Sequence, residues 1–109
     1  MSIRQDILNT AGSLISGDRA EQYGDPTVMF GQIADNWAAY EGVPVSEVDA
    51  AMKMALMKIA RIQMGKVDID SFIDACGYIA LAGEMAIEGA AVSGMVAHQH
   101  NATTGSSNG

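Results

Sequence analysis

The stretch from Glu47 to about Met64 contains neither glycine nor proline and carries apolar side chains nearly all the way round a 3.6-residue period. Val48, Ala51, Met52, Ala55, Ile59 and Ile62 form one stripe, while Met54, Leu56, Met57, Ala60 and Met64 fall outside it. A helix of this kind, roughly 27 Å long at 1.5 Å per residue, must be enclosed by other helices or pressed against another chain. Met54 and Met57, opposite the inner stripe, are the residues expected to carry a contact with a second copy. The expectation is a homo-oligomer held through this Met-rich third helix.

The segments around it supply three more helices. From Ser2 to Ile15, apolar residues recur at Ile3, Ile7, Leu8, Ala11, Leu14 and Ile15; Ser2 with Gln5 has the spacing of a capping box, and Gly17 is a stop. From about Thr27 to Glu41, Phe30, Ile33, Ala34, Trp37 and Tyr40 are in register before Gly42. Pro44 forces an extended link, and Ser46 with Asp49 marks the next start. After Gly65, Asp68 or Asp70 caps a fourth helix reaching about Ile87, with Ile69, Phe72, Ile73, Cys76, Ala80, Gly83 and Ile87 facing inward. Beyond Gly89 the chain turns to Ala, Gly, Ser, Thr and Asn, which bury too little area to offset ordering entropy. These patterns predict an all-α protein: a small four-helix bundle over residues 1–88 and a disordered, flexible C-terminal tail over 89–109.

Charge and composition exclude several functions. A net charge of −7 with six Lys and Arg leaves no basic stripe for a nucleic-acid polymer, although a small anion needs only two or three local cations. A single cysteine, Cys76, forms no internal disulfide. No apolar run approaches the roughly 20 residues of a membrane span, and the N-terminus lacks a signal-peptide core, so the expected location is the cytoplasm.

Chemistry concentrates in two places. Between Gly17 and Pro26, glycines and aspartates surround Arg19 and Tyr23 without core periodicity. Asp18, Arg19 and Tyr23 read either as a ligand clamp, with a guanidinium fork for phosphate and a ring for stacking, or as a turn in which Asp18 caps and Arg19 meets a carboxylate. On the third helix Lys58 and Arg61 are surface neighbours, and on the fourth Asp70 and Asp74 repel one another unless a cation lies between them. That cation is Mg²⁺, Lys58 or Arg61. Gly77 and Tyr78 mark close helix approach and a second ring. His98 and His100 lie in the tail without a third ligand, and Cys76 has no basic neighbour to activate it. No catalytic residue, metal site or cofactor is assigned.

Gly17-Asp18-Arg19, Tyr23-Gly24-Asp25-Pro26, Phe30, Ile33 and Trp37, Lys58-Ile59-Ala60-Arg61, Asp70-Ser71-Phe72-Ile73-Asp74 and Gly77-Tyr78, taken in order, resemble a family of uncharacterised phage and prophage proteins. The resemblance runs from the first helix to the fourth and implies a phage origin and a helical domain. A weaker similarity points to the MazG-like nucleotide pyrophosphohydrolases, all-helical enzymes that hold Mg²⁺ with acidic pairs on adjacent helices. Asp70 and Asp74 loosely match the later pair. Where the earlier pair would stand, this chain has Lys53, Lys58 and Arg61, which favours phosphate affinity over hydrolysis.

The leading functional expectation is a phage-encoded helical protein that binds a nucleotide or related anionic small molecule without catalysis, sequestering it in the host cytoplasm. Its ligand-binding set is Asp18, Arg19, Tyr23, Lys58, Arg61, Asp70, Asp74 and Tyr78, converging on one concavity. The alternatives are a divergent MazG-like Mg-dependent hydrolase, with Asp35, Glu41 and Asp49 as additional acids, and a protein–protein interaction module without a small-molecule site.

Overall fold

The computed structural model describes residues 2–16, 24–65 and 67–97, all of their regular structure α-helical. Four helices follow in order: α1 (Ile3–Ser16), α2 (Pro26–Glu41), α3 (Glu47–Met64) and α4 (Ile69–Ala97). The all-α four-helix architecture expected from the sequence is the one found.

Local chemistry sets the boundaries. Ser2 Oγ accepts the Gln5 backbone N–H at 3.1 Å and opens α1. Asp25 caps α2, its Oδ1 accepting the Thr27 N–H at 2.9 Å, and Pro26 occupies the first turn, where no backbone donor is required. Gly42 ends α2 at φ +79°, a left-handed position that a Cβ would strain, and donates its N–H to the Ala38 carbonyl at 2.8 Å. Ser46 and Asp49 form a reciprocal capping box at the start of α3.

α4 is the hub. It packs along α3 on one flank and against α1 on another, while α2 packs on α3. The main core joins Phe30 and Ala34 of α2, Ala50 and Ala51 of α3, and Ala82 and Met85 of α4. Alanines also fill Ala11, Ala55 and Ala75, so helices approach closely with few large side chains between them. Gly77 serves the same end: a Cβ built on it would meet Ile15 Cγ2 at 3.4 Å.

Four expectations are corrected. Met54 packs against the core, while Met52 is exposed along with Leu56, Met57 and Met64, so the apolar outer face of α3 is rotated from the expected one. On α4 the buried residues are Ser71, Ile73, Ala75, Gly77, Ala82 and Met85; of the stripe read as inward, Ile69, Phe72, Ala80, Gly83 and Ile87 are exposed. α4 does not stop near Gly89 but runs to Ala97, and residues 98–109, including His98 and His100, lie outside the described residues. Finally, Ile69–Val92 has a mean hydropathy of 1.3 and is long and apolar enough to cross a membrane by length and composition. Four acids, Asp70, Asp74, Glu84 and Glu88, fall on one side of that helix, and an acid at the centre of a span costs about 2.5–3.5 kcal/mol.

Candidate functional site

A cavity of about 230 Å³ opens between α1, α2 and α4. Ile73, Asp74, Gly77, Tyr78 and Leu81 form its floor on α4, at spacings that share one side of a helix. Ala11, Leu14 and Ile15 make one wall; Gly24, Pro26, Met29 and Phe30 make the other. The lack of a side chain on Gly77 lets α1 lie close, and the Asp25 cap with Pro26 fixes where α2 starts and thus where Phe30 stands. Phe30 and Tyr78 meet edge to face, with ring centroids 6.2 Å apart and planes at 83°.

Among the described residues Asp74 is the one charged residue lining this cavity. Its Oδ2 lies 3.0 Å from Lys58 Nζ, and the Lys58 side chain is only 18 % exposed. The expectation that Lys58 meets an acid of α4 across the short α3–α4 turn therefore resolves to a specific pair. An ammonium has three donors, so a lysine bonded to one carboxylate oxygen keeps capacity for a further acceptor.

Arg61, one turn beyond Lys58, lines a different and shallower depression with Met57, Ala60, Met64, Gly65, Val67 and Asp68. Asp68 accepts from the Ser71 hydroxyl at 2.9 Å and from the Asp70 N–H at 3.0 Å. The Ser71 bond holds its carboxyl below the ordinary carboxylate range; the Asp70 N–H and the Arg61 charge add to this against a desolvation that opposes it. Asp68 is thus the acid that caps α4, and Arg61 works beside it. Asp70 is exposed in the first turn of α4. The eight expected ligand residues therefore divide: Asp74 and Tyr78 line the cavity and Lys58 is joined to it through its pair with Asp74, Arg61 and Asp70 stand at the α3–α4 turn, and Asp18, Arg19 and Tyr23 lie outside the described residues. Ile15 and Gly24, on either side of that last segment, both line the cavity.

Two of the three acids that a hydrolase would recruit, Glu41 and Asp49, are engaged elsewhere. Glu41 pairs with Lys53 at 3.3 Å, and Lys53 also lies 5.6 Å from the Trp37 ring, clamping α2 to α3. Asp49 serves the Ser46 capping box. Among the described residues no three His, Cys, Asp or Glu side chains gather where a metal ion would be held. The apolar part of the cavity went unread in the sequence, because Leu14, Met29 and Phe30 look like ordinary core residues; the Asp25-Pro26 step ahead of a periodic run was the available sign that α2 begins there.

A family model matches residues 6–86, a span that includes the cavity and the Lys58–Asp74 pair. The chain belongs to DUF6378, a family described as a domain of unknown function. It is 39 % identical over 80 residues to the Gene 55 protein of Mycobacterium phage L5, covering 72 % of this chain and 51 % of that protein. The Gene 55 protein of Mycobacterium phage D29 is 40 % identical over 74 residues, covering 68 % of this chain and 49 % of the relative. The chain spans about half the length of these curated relatives. No solved structure matches. The family match and these phage relatives agree with the uncharacterised phage family expected from the sequence.

Proposed function

We propose that this DUF6378 protein binds a nucleotide or a related anionic small molecule and acts by withholding it in the host cytoplasm rather than by converting it. The observation that carries this reading is a ring-sized apolar cavity on whose wall, among the described residues, one charged side chain stands, Asp74, already paired to a half-buried lysine. At about 230 Å³ it is smaller than the roughly 300–1,000 Å³ of pockets that enclose drug-sized ligands, so it suits one ring system and not a whole nucleotide. The base would sit against Tyr78 and Phe30. The phosphate would stay outside, where the spare donors of Lys58 are available, and Arg19 is the second cation that the sequence offers. The carboxylates committed to Lys53 and to the Ser46 cap weigh against a MazG-like hydrolase.

Thermal melting of the full chain with mono-, di- and cyclic nucleotides, each with and without Mg²⁺, tests this. A ligand at 100 times its dissociation constant stabilises by about 2.7 kcal/mol, and the expected shift is the same without Mg²⁺ and leaves the nucleotide intact. No shift with any of them at millimolar concentration, or a Mg²⁺-dependent shift accompanied by release of pyrophosphate, would overturn the reading.

A further inference from the structure

Large apolar side chains are on the wrong side of α4 for a protein that works as a single chain. Ile69, Phe72, Ile79 and Ile87 are 49 %, 40 %, 47 % and 70 % exposed, and with Ala80 and Gly83 they lie on one continuous face of the helix. The acids of α4, Asp70, Asp74, Glu84 and Glu88, all project from another side, so this face carries no charge in a chain of net charge −7. Single exposed leucines or isoleucines are ordinary, whereas a contiguous apolar face is a contact surface. We infer that α4 pairs through this face with the α4 of a second copy, antiparallel about a two-fold axis, and that the working unit is this dimer.

Three features select a second copy as the occupant. The face is self-complementary. If two antiparallel α4 helices cross midway between Gly77 and Tyr78, Phe72 of each stands opposite Gly83 of the other. Cys76 then stands opposite Ile79, and Ile69 opposite the Ala86–Ile87 step. Phe72 meets a glycine and Ile79 a cysteine in both directions, as a two-fold interface demands. No atom lies within 4 Å of the position a Cβ would take on Gly83, so the socket for the phenyl ring is open in the single chain. The area is that of a small interface: the four large residues expose roughly 400 Å² per chain and the small residues between them roughly 100 Å² more, which suits a weak dimer below the roughly 800 Å² per partner of a standard specific interface. Lastly, two faces without charge can meet despite the negative charge of both chains, because repulsion between the distant acids is screened beyond about 8 Å at physiological salt.

Light scattering on the full chain at about 100 µM is expected to give twice the 11.4 kDa chain mass. Ile79→Arg should return it to the monomer with unchanged helicity, and Gly83→Leu, which fills the socket, should weaken association at least tenfold. Leu56→Arg, on the exposed face of α3, should leave the dimer intact. Cys76 supplies a second readout that needs no substitution. Across the proposed axis the two Cys76 residues are no more than about 10 Å apart, from a helix spacing of 8–10 Å and a rise of 1.5 Å per residue. A bis-maleimide of that length should therefore trap a dimer stable in denaturing gels, and Ile79→Arg should abolish it. A wild-type monomer, a dimer that Leu56→Arg dissociates and Ile79→Arg does not, a dimer whose Cys76 residues do not cross-link, or a monomer that floats with phosphatidylcholine vesicles through α4 would each overturn the inference.

Discussion

Lys58 and Arg61 are one helical turn apart and look interchangeable in the sequence, yet they stand in different surroundings. Lys58 reaches Asp74 at the cavity, while Arg61 lies beside Asp68 at the start of α4. Replacing either removes a partly exposed charge pair, so each should change stability by no more than about 1 kcal/mol. Binding should separate them: Lys58→Ala is expected to weaken any nucleotide at least tenfold in a titration, and Arg61→Ala to leave its affinity within about twofold. Equal losses would place the anion between the two side chains. Asp68 makes a second residue-scale prediction. Its folded-state pKa is lowered, so its contribution is present above the ordinary carboxylate value of about 3.9 and is lost as pH falls through the depressed folded value. Melting temperature measured from pH 6 down to pH 2 should therefore fall more steeply in the wild type than in Asp68→Asn, which keeps a capping side chain but does not titrate. Identical profiles would mean that the Ser71 and Asp70 bonds to Asp68 contribute nothing in solution.

At the scale of elements, the ends of helices were more legible than their faces. Ser46, Asp49 and Gly65 bound α3 in the sequence because their chemistry acts on backbone groups within a turn, and Gly42 closes α2 for the same reason. Ser46→Ala removes the acceptor for the Asp49 N–H and should destabilise the protein by about 1 kcal/mol, read as an urea midpoint shift with unchanged slope; a null result would show that α3 is held by its packing alone. The faces of α4 resisted reading because periodicity finds the stripe of largest apolar residues and assumes it is the one covered. Here α4 lies between α1 and α3, which cover Ala75, Ala82, Gly77 and Ser71, and the bulky stripe from Ile69 to Ile87 remains free. The same geometry exchanges Met52 and Met54 on α3. Of the candidate site, Lys58, Asp74 and Tyr78 were legible as charge and ring chemistry. The cavity that Asp74 and Tyr78 line was not, because its shape depends on how closely α1 approaches Gly77.

At the scale of the molecule, seven of the ten buried apolar residues among the described ones are alanines, and most of the large ones remain on the surface. A core of this kind is thin, so residues that add no buried side chain should add little stability. The end of α4 provides the test. Gly89, Ala90, Ala91 and Val92 are helical but exposed, with Val92 62 % accessible. Exposed positions without special contacts usually change stability by no more than about 0.5 kcal/mol, and for a domain near this size that corresponds to about 2–4 °C in melting temperature. The face proposed to pair with a second copy ends at Ile87, before this segment begins. A chain truncated after Glu88 should therefore melt within a few degrees of the full-length protein, keep the same light-scattering mass ratio to its own chain, and still yield the Cys76 cross-link. If truncation lowers the melting temperature by more than about 8 °C, equivalent to more than about 1 kcal/mol for a domain of this size, the residues beyond Glu88 pack against the bundle or the partner. If it leaves melting intact but removes the dimer, the interface extends along α4 past Ile87.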